Sequence, residues 1–262
     1  MGGRLIAVVS DKGGVGKTSC ATSVAHGLAL QGASVLLIDF DLLGQDAIVL
    51  GLSPAPGVYQ HFVQQTPARR VIGESGRPGL QLLPGNGWTR RADHELRSVA
   101  MATLVEQVRV LAESYDFVVI DTHPSGYLQE LAVRVADTLL VPVRCEALAM
   151  DGLAATWQLV GEIGRPSQMI LVPTLYDERL KGQRSNLGLL QAAYPGLVST
   201  PIPQRAVVAE GQGEGLTVWE RAGVLKGRQG ELAKVRAAYG QLVTWLLASP
   251  AAVLFDEEGM GW

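Results

Sequence analysis

Lys12-Gly13-Gly14-Val15-Gly16-Lys17-Thr18-Ser19 follows the apolar run Leu5–Val9 and leads into a helical pattern. A buried strand, a glycine turn and a helix N-terminus are the context a phosphate-binding loop needs. Glycines let the backbone bend so that several N–H groups point at one anion. The helix beginning near Gly16 adds the positive end of its dipole. In such a loop Lys17 reaches the β- and γ-phosphates, and the Thr18 hydroxyl sits on Mg²⁺. The stretch therefore predicts a nucleoside-triphosphate site over Lys12, Gly13, Gly14, Val15, Gly16, Lys17, Thr18 and Ser19. A glycine-rich turn with two solvated lysines is the plainer alternative. It does not explain why three glycines and two lysines fall in register behind a buried strand.

Beyond the loop, apolar runs alternate with helical patterns, the mark of a βαβ series and a parallel sheet. Strands are predicted over Leu5–Ser10, Ser34–Phe40, Leu80–Leu83, Phe117–Asp121, Thr138–Val143 and Met169–Pro173, with a weaker one near Leu197–Thr200. Their β-branched, unalternating character fits strands covered on both faces. Helices are predicted over Lys17–Gln31, Asp93–Ser114, Leu128–Val135, Asp151–Ile163, Gln183–Ala193 and Gln229–Leu247, and Pro54–Gly57 and Arg69–Pro84 read as loop-like. The expected fold is a single-domain α/β P-loop NTPase with a mostly parallel, helix-flanked, twisted sheet. Its domain spans residues 1–248, with residues 249–262 as an acidic tail.

The chain has 262 residues, 47% of them apolar, enough for one large core. Its formal net charge of −3 advertises no nucleic-acid partner globally, so any such site must be a local patch. Two cysteines, Cys20 and Cys145, argue against a disulfide scaffold or a Cys₄ metal site. No signal peptide is expected, because five apolar residues after Arg4 run straight into the glycine loop. Met1-Gly2 begins like a myristoylation signal, but Ile6 stands where Ser or Thr is required. The uncharged span from Thr18 to Ile38 is long enough for a bilayer, yet polar residues and Gly32 divide it into helix, turn and strand. A soluble, cytoplasmic protein is expected.

Two further strands end in carboxylates. Val35–Asp41 closes on Asp39 and Asp41, which point the same way from a strand. Strand C-termini face the ligand crevice of a parallel sheet, so both acids are placed to approach Mg²⁺ and an attacking water. Phe117–Asp121 ends likewise in Asp121, followed by Thr122-His123-Pro124-Ser125. Without the glycine loop, each would read as a strand ending in solvated acids.

The glycine loop departs from G-x-x-x-x-G-K-[ST] at its first position, Asp11, and carries Lys12 instead. In that form, K-G-G-x-G-K-[ST], it resembles the deviant Walker A motif of the ParA/MinD ATPases. Asp39-Phe40-Asp41 is similar to the family segment D-x-D-P-Q-G-N, although Leu42, Leu43 and Gln45 replace its Pro, Gln and Asn. Asp121-Thr122-His123-Pro124-Ser125 resembles the Walker B segment Asp-Thr-Pro-Pro-Ser, with His123 in place of the first Pro. Ala136–Leu153 resembles the ParA/Soj stretch around V-P-V-Q-C-E-x-x-A-x-E-G-L, which makes Cys145 a core or interface residue. Pro173–Asp177 and Ile202–Arg205 resemble T-x-Y-D and I-P-R-N, with Arg205 in place of Asn. The resemblance runs from Leu5 to about Leu247. With the loop at residue 12 it matches the short, Soj-like form, without a helix-turn-helix extension.

The resemblance implies ATP and Mg²⁺ as cofactors. It implies catalytic roles for Lys12, Lys17 and Asp41, a metal shell of Thr18, Asp39 and Asp121, and a base site near Pro203 and Arg205. It implies a slow ATPase that closes as a homodimer on ATP, with Lys12 crossing to the partner's phosphates. The dimer is expected to hold non-specific double-stranded DNA, associate with the nucleoid, and hydrolyse ATP when a ParB-like centromere-binding protein stimulates it. Residues 221–236 place Arg221, Lys226, Arg228, Lys234 and Arg236 against the single acid Glu231. With Arg205, the residues Arg221, Lys226 and Arg228 are the DNA-binding candidates; a solvated helix face is the alternative. Arg179, Lys181 and Arg184 are further candidates.

Four other functions share the loop. A MinD-like membrane-recruited ATPase needs a basic amphipathic C-terminal helix, whereas Ser249–Trp262 is acidic. A dethiobiotin-synthetase-like ligase would lack the Val143–Leu153 match and Lys12. A nitrogenase-iron-protein-like reductase needs cluster cysteines that Cys145 and Cys20 do not supply. A ParA-like ATPase that positions a protein cargo keeps the mechanism and changes only the partner.

Overall fold

The computed structural model describes residues 2–53, 55–146, 149–163, 168–220 and 229–248. Its frame is a seven-stranded sheet built from β1 (Arg4–Val8), β2 (Val35–Phe40), β3 (Gly73–Arg77), β4 (Leu80–Leu83), β5 (Phe117–Thr122), β6 (Thr138–Arg144) and β7 (Gln168–Thr174). The strands lie in the order β3-β4-β2-β5-β1-β6-β7. All pairs are parallel except β3 with β4. The predicted parallel, helix-flanked sheet is therefore present.

The strands read as continuous apolar runs because each face has its own core. Along β1, Leu5 and Ala7 join the cluster on one face, and Ile6 and Val8 the cluster on the other. Helix α1 (Lys17–Leu30) lies on the second face, where Cys20, Val24 and Leu28 are fully buried. It packs against α10 (Gln229–Ala248). The contact is close at Gly27, where a Cβ would fall 2.8 Å from Val243 and 2.9 Å from Trp219. The other face carries α5 (Met101–Ala112) and α6 (Tyr127–Val135).

Three expectations are corrected. The segment read as a loop over Arg69–Pro84 holds the antiparallel strand β3 as well as the predicted β4. The single helix expected over Asp93–Ser114 is α4 (Thr89–Glu95), a 3₁₀ turn at Leu96–Ser98, and α5. Val99 and Ala100 are extended between them, with ψ of 137° and 129°, which interrupts the helical hydrogen-bond ladder. The weak strand near Leu197–Thr200 is one isolated bridge, Leu171 to Val198. Short helices α2 (Gln45–Val49), α3 (Val58–Phe62) and α9 (Ala206–Gly213) add to the predicted elements. Helices α7 (Ala149–Ile163) and α8 (Lys181–Ala193) match their predicted spans within two residues. Residues 249–262, read as an acidic tail, lie outside the described residues. Among the described residues, no helix is long and apolar enough to cross a membrane.

Candidate functional site

The loop after β1 turns through two residues in the left-handed region, Gly14 (φ 70°) and Gly16 (φ 88°). A Cβ at either position would strain the backbone, so glycine is required for the turn itself. Gly13 and Gly14 leave open space where side chains would stand. The turn delivers Lys17, Thr18 and Ser19 to the first turn of α1. Lys17 is buried and its Nζ donates to the Lys12 carbonyl at 3.1 Å. Burial lowers the Lys17 pKa, and the charges of Asp121, Asp41 and Asp11 oppose that shift. Val15 is buried, and its carbonyl accepts from Thr174 Oγ1 at 2.7 Å.

The sheet register brings the carboxylates together. Asp39 on β2 pairs with Asp121 on β5, side by side at the C-terminal ends of adjacent strands. Thr18 Oγ1 donates to Asp121 Oδ2 at 2.7 Å. Asp39 accepts the Asp41 N–H on Oδ1 and the Asp46 N–H on Oδ2, both at 3.0 Å. Asp41 turns its Oδ1 to the Leu43 N–H at 2.8 Å and lines the open cleft. That cleft, about 440 Å³, joins Gly13, Lys17, Thr18 and Ser19 to Asp41, His123 and Gln212. Leu43, where the resemblance has a glutamine, stands exposed on the same rim.

A second cavity of about 240 Å³ continues from Gly16 and Ser19 to Pro203, Arg205 and Tyr239. The loop and the expected base site are thus contiguous. Gln212 on α9 lines both cavities and donates to Ser19 Oγ at 2.6 Å. Lys12 stands apart, half-buried in a separate small cavity with Ser10, Arg144 and Glu146. Of the DNA candidates, Arg205 is described and donates to the Gln204 carbonyl at 2.7 Å. Arg221, Lys226 and Arg228 lie outside the described residues. Lys234 pairs with Glu178 at 3.0 Å, and Arg236 caps the Val218 and Trp219 carbonyls. Cys145 is buried, its thiol pushed up to about 11 by burial; burial likewise pushes Cys20 to about 12.

Sequence reasoning missed Asp46. It is fully buried in the first turn of α2, and neither of its carboxylate oxygens has a hydrogen-bond partner. Burial raises its pKa well above the usual range, and neighbouring Asp39 adds to the shift. Asp39 is raised in the same way by burial and then by Asp121. Burial carries Asp121 to about 7, with the Thr18 hydrogen bond pulling the other way. Asp121 Oδ1 is also buried and unpartnered. A hydroxyl and a free carboxylate oxygen side by side suit an oxygen-preferring ion such as Mg²⁺. Thr18 and Asp121 therefore fit the metal expected beside a bound triphosphate.

A glycine loop between β1 and α1, strand-end carboxylates and a cleft at the C-terminal edge of a parallel sheet define the P-loop nucleotide-binding class. The family described as "AAA domain" matches residues 3–171. The chain is 33% identical over 226 residues to the chromosome-partitioning ATPase Soj of Thermus thermophilus, covering 84% of this chain and 88% of that one. It belongs to the ParA/Soj family of ATPases. Apo McdA from Cyanothece shares the fold, with a TM-score of 0.79 at 18% identity over 94% of this chain and 99% of the other. A cobyrinic acid a,c-diamide synthase from Mycobacterium smegmatis, solved with ADP and magnesium, has a TM-score of 0.75 at 27% identity. That match covers 97% of this chain and 99% of the other.

Proposed function

We propose that this chain is a DNA-partition ATPase that binds Mg²⁺·ATP on the Gly13–Ser19 loop and hydrolyses it slowly. The observation that carries the reading is the single cleft in which Lys17, Thr18 and Asp41 meet. Lys17 neutralises the β- and γ-phosphates, and the loop amides and the α1 dipole bind the remaining charge. Thr18 and Asp121 hold the Mg²⁺, with Asp39 behind them. Asp41 orients the attacking water from the rim of the cleft. Held by Thr18 and Asp121, Mg²⁺ would supply charge stabilisation for the transferring phosphoryl group. Pro203 and Arg205 border the cavity assigned to the base.

Lys12 lies outside its own loop's cleft, which supports a role on a second copy rather than on its own phosphates. ATP would then close a homodimer in which each Lys12 reaches the other subunit's nucleotide, as an arginine finger does. The closed dimer binds duplex DNA without sequence preference and so associates with the nucleoid. A ParB-like partner speeds hydrolysis and release, making the γ-phosphate a local switch with a global readout. The 33% identity to a chromosome-partitioning ATPase over 88% of its length supports this reading over a membrane-recruited or ligase function.

Fluorescence anisotropy on random-sequence duplex DNA, with ATP, with ADP and without nucleotide across a salt series, tests it. Binding should need ATP, ignore sequence and weaken steeply with salt. No binding in any state would remove DNA from the function and leave an ATPase with another target.

A further inference from the structure

The carboxylates of Asp39, Asp46 and Asp121 each offer one oxygen to a common point, with these atoms all within 4.8 Å of one another. All three residues have zero exposure. Hydrogen bonding explains only part of the cluster. Asp39 is occupied by two backbone N–H groups, and Asp121 Oδ2 by the Thr18 hydroxyl. Asp121 Oδ1 and both oxygens of Asp46 have no donor at all. A buried carboxylate without a partner is strongly disfavoured, so such groups are normally paired or coordinate a metal.

We propose that Asp39, Asp46 and Asp121 form a cage that holds a hard divalent cation directly, with or without nucleotide. Asp46 is the residue that makes the difference. Gly44, in the left-handed region, turns the chain so that α2 starts against β2 and carries Asp46 beneath the strand ends. Gly85 closes the cage from the other side: a Cβ there would fall 2.8 Å from the Asp39 carbonyl and 3.0 Å from Asp39 Oδ1. The donor set is all oxygen, which selects Mg²⁺, Mn²⁺ or Ca²⁺ over softer metals. Two Ca²⁺–oxygen bonds of about 2.3–2.6 Å span a separation of this size, while the shorter bonds of Mg²⁺, about 2.0–2.1 Å, need the oxygens to draw slightly closer.

The cage uses no nucleotide atom, so it goes beyond the ATPase reading and can fail separately from it. The test titrates Mn²⁺ into the EDTA-stripped full chain without nucleotide, following free Mn²⁺ by electron paramagnetic resonance. One Mn²⁺ per chain, displaced by Mg²⁺ or Ca²⁺, is expected. Asp46→Asn should weaken it at least tenfold, with the far-ultraviolet spectrum unchanged. Lys17→Ala, which removes a competing cation, should leave Mn²⁺ binding equal or tighter. Absence of nucleotide-free binding in the wild type overturns the proposal. So does Mn²⁺ binding that is unchanged in Asp46→Asn, or loss of Mn²⁺ in Lys17→Ala, which would place the ion on the loop. A fluorescent ATP analogue with Mg²⁺ runs in parallel. Analogue binding without nucleotide-free Mn²⁺ binding sinks the cage and spares the ATPase reading. Mn²⁺ binding that needs Asp46, with no analogue binding, does the reverse.

Discussion

Thr18 Oγ1 donates to Asp121 Oδ2 at 2.7 Å, tying the first turn of α1 to the end of β5 before any ligand arrives. On the proposed function, the hydroxyl is thereby held next to the metal position. Replacing Thr18 by Val keeps the volume and removes the oxygen. Nucleotide binding by Thr18→Val should need at least tenfold more Mg²⁺ than wild type, measured by anisotropy of a fluorescent ATP analogue. An unchanged Mg²⁺ requirement would remove Thr18 from the metal shell.

Lys17 is buried among carboxylates in the floor of the cleft. Lys17→Ala should lower ATP affinity about a hundredfold, on the order of the 3 kcal/mol carried by a hydrogen bond to a charged group. Isothermal titration with ATP and Mg²⁺ reads this directly. Affinity within a few-fold of wild type would mean that the loop binds something other than a triphosphate.

Asp41 lines the cleft but spends only one oxygen, on the Leu43 N–H. Asp41→Ala should bind ATP normally and hydrolyse it about 10²-fold more slowly, the usual worth of a positioned general base. It should accumulate as an ATP-bound dimer on size-exclusion chromatography. Normal turnover would assign the water to another group.

His26 is buried with Nδ1 2.7 Å from Thr217 Oγ1. Burial pushes its pKa from 6.5 down to about 4; Glu220 opposes this and Arg77 reinforces it. The unfolded chain therefore takes up a proton near pH 6.5 that the folded chain refuses until about pH 4. The His26 contribution to stability should fall as pH drops through that window, by roughly 1–2 kcal/mol between about pH 7 and pH 5, while the raised carboxyls of Asp39, Asp46 and Asp121 contribute in the opposite direction. Urea melts of wild type and His26→Gln at both pH values isolate it: relative to wild type, the variant should gain stability at pH 5 over pH 7 by that amount. Parallel slopes for the two proteins would refute it.

Gly44 has φ 63°, and a Cβ there would meet the Gly85 and Asn86 backbone at 2.5–2.6 Å. Gly44→Ala should cost on the order of 1–3 kcal/mol, because both the conformation and the space are wrong. Thermal unfolding gives the loss. A melting temperature equal to wild type would show that the loop after β2 repacks freely.

The centre of the sheet is readable from the chain because β1, β2, β5, β6 and β7 are unbroken apolar runs, and the glycine loop marks the end of the first. β3 is hidden because Gly73-Glu74-Ser75-Gly76-Arg77 has neither alternation nor β-branched residues. It is held by tertiary contacts. Arg77 is buried, pairs with Glu220 at 2.7 Å and donates to the Leu50, Ser75 and Gly215 carbonyls. The break at Val99 and Ala100 carries no Gly or Pro to announce it. Asp46 escapes notice for a related reason: only the left-handed turn at Gly44 shows that a carboxylate after the strand folds back beneath it. Gln212 is equally silent, because α9 has no strong apolar period and its contact with Ser19 spans most of the chain.

The two rims of the sheet have a bearing on how copies of this chain can meet. On one side lies β3, short, glycine-rich and antiparallel, with a register irregularity between Glu74 and Arg77. On the other, Leu197, Ser199 and Ile202 cover β7 by exchanging backbone hydrogen bonds with Leu171 and Pro173. Among the described residues neither rim is a long, flat strand edge, so strand-to-strand addition is disfavoured at both ends. On the proposed function, association would then fall to the loops above the strand ends, where the contents of the cleft could make and unmake it.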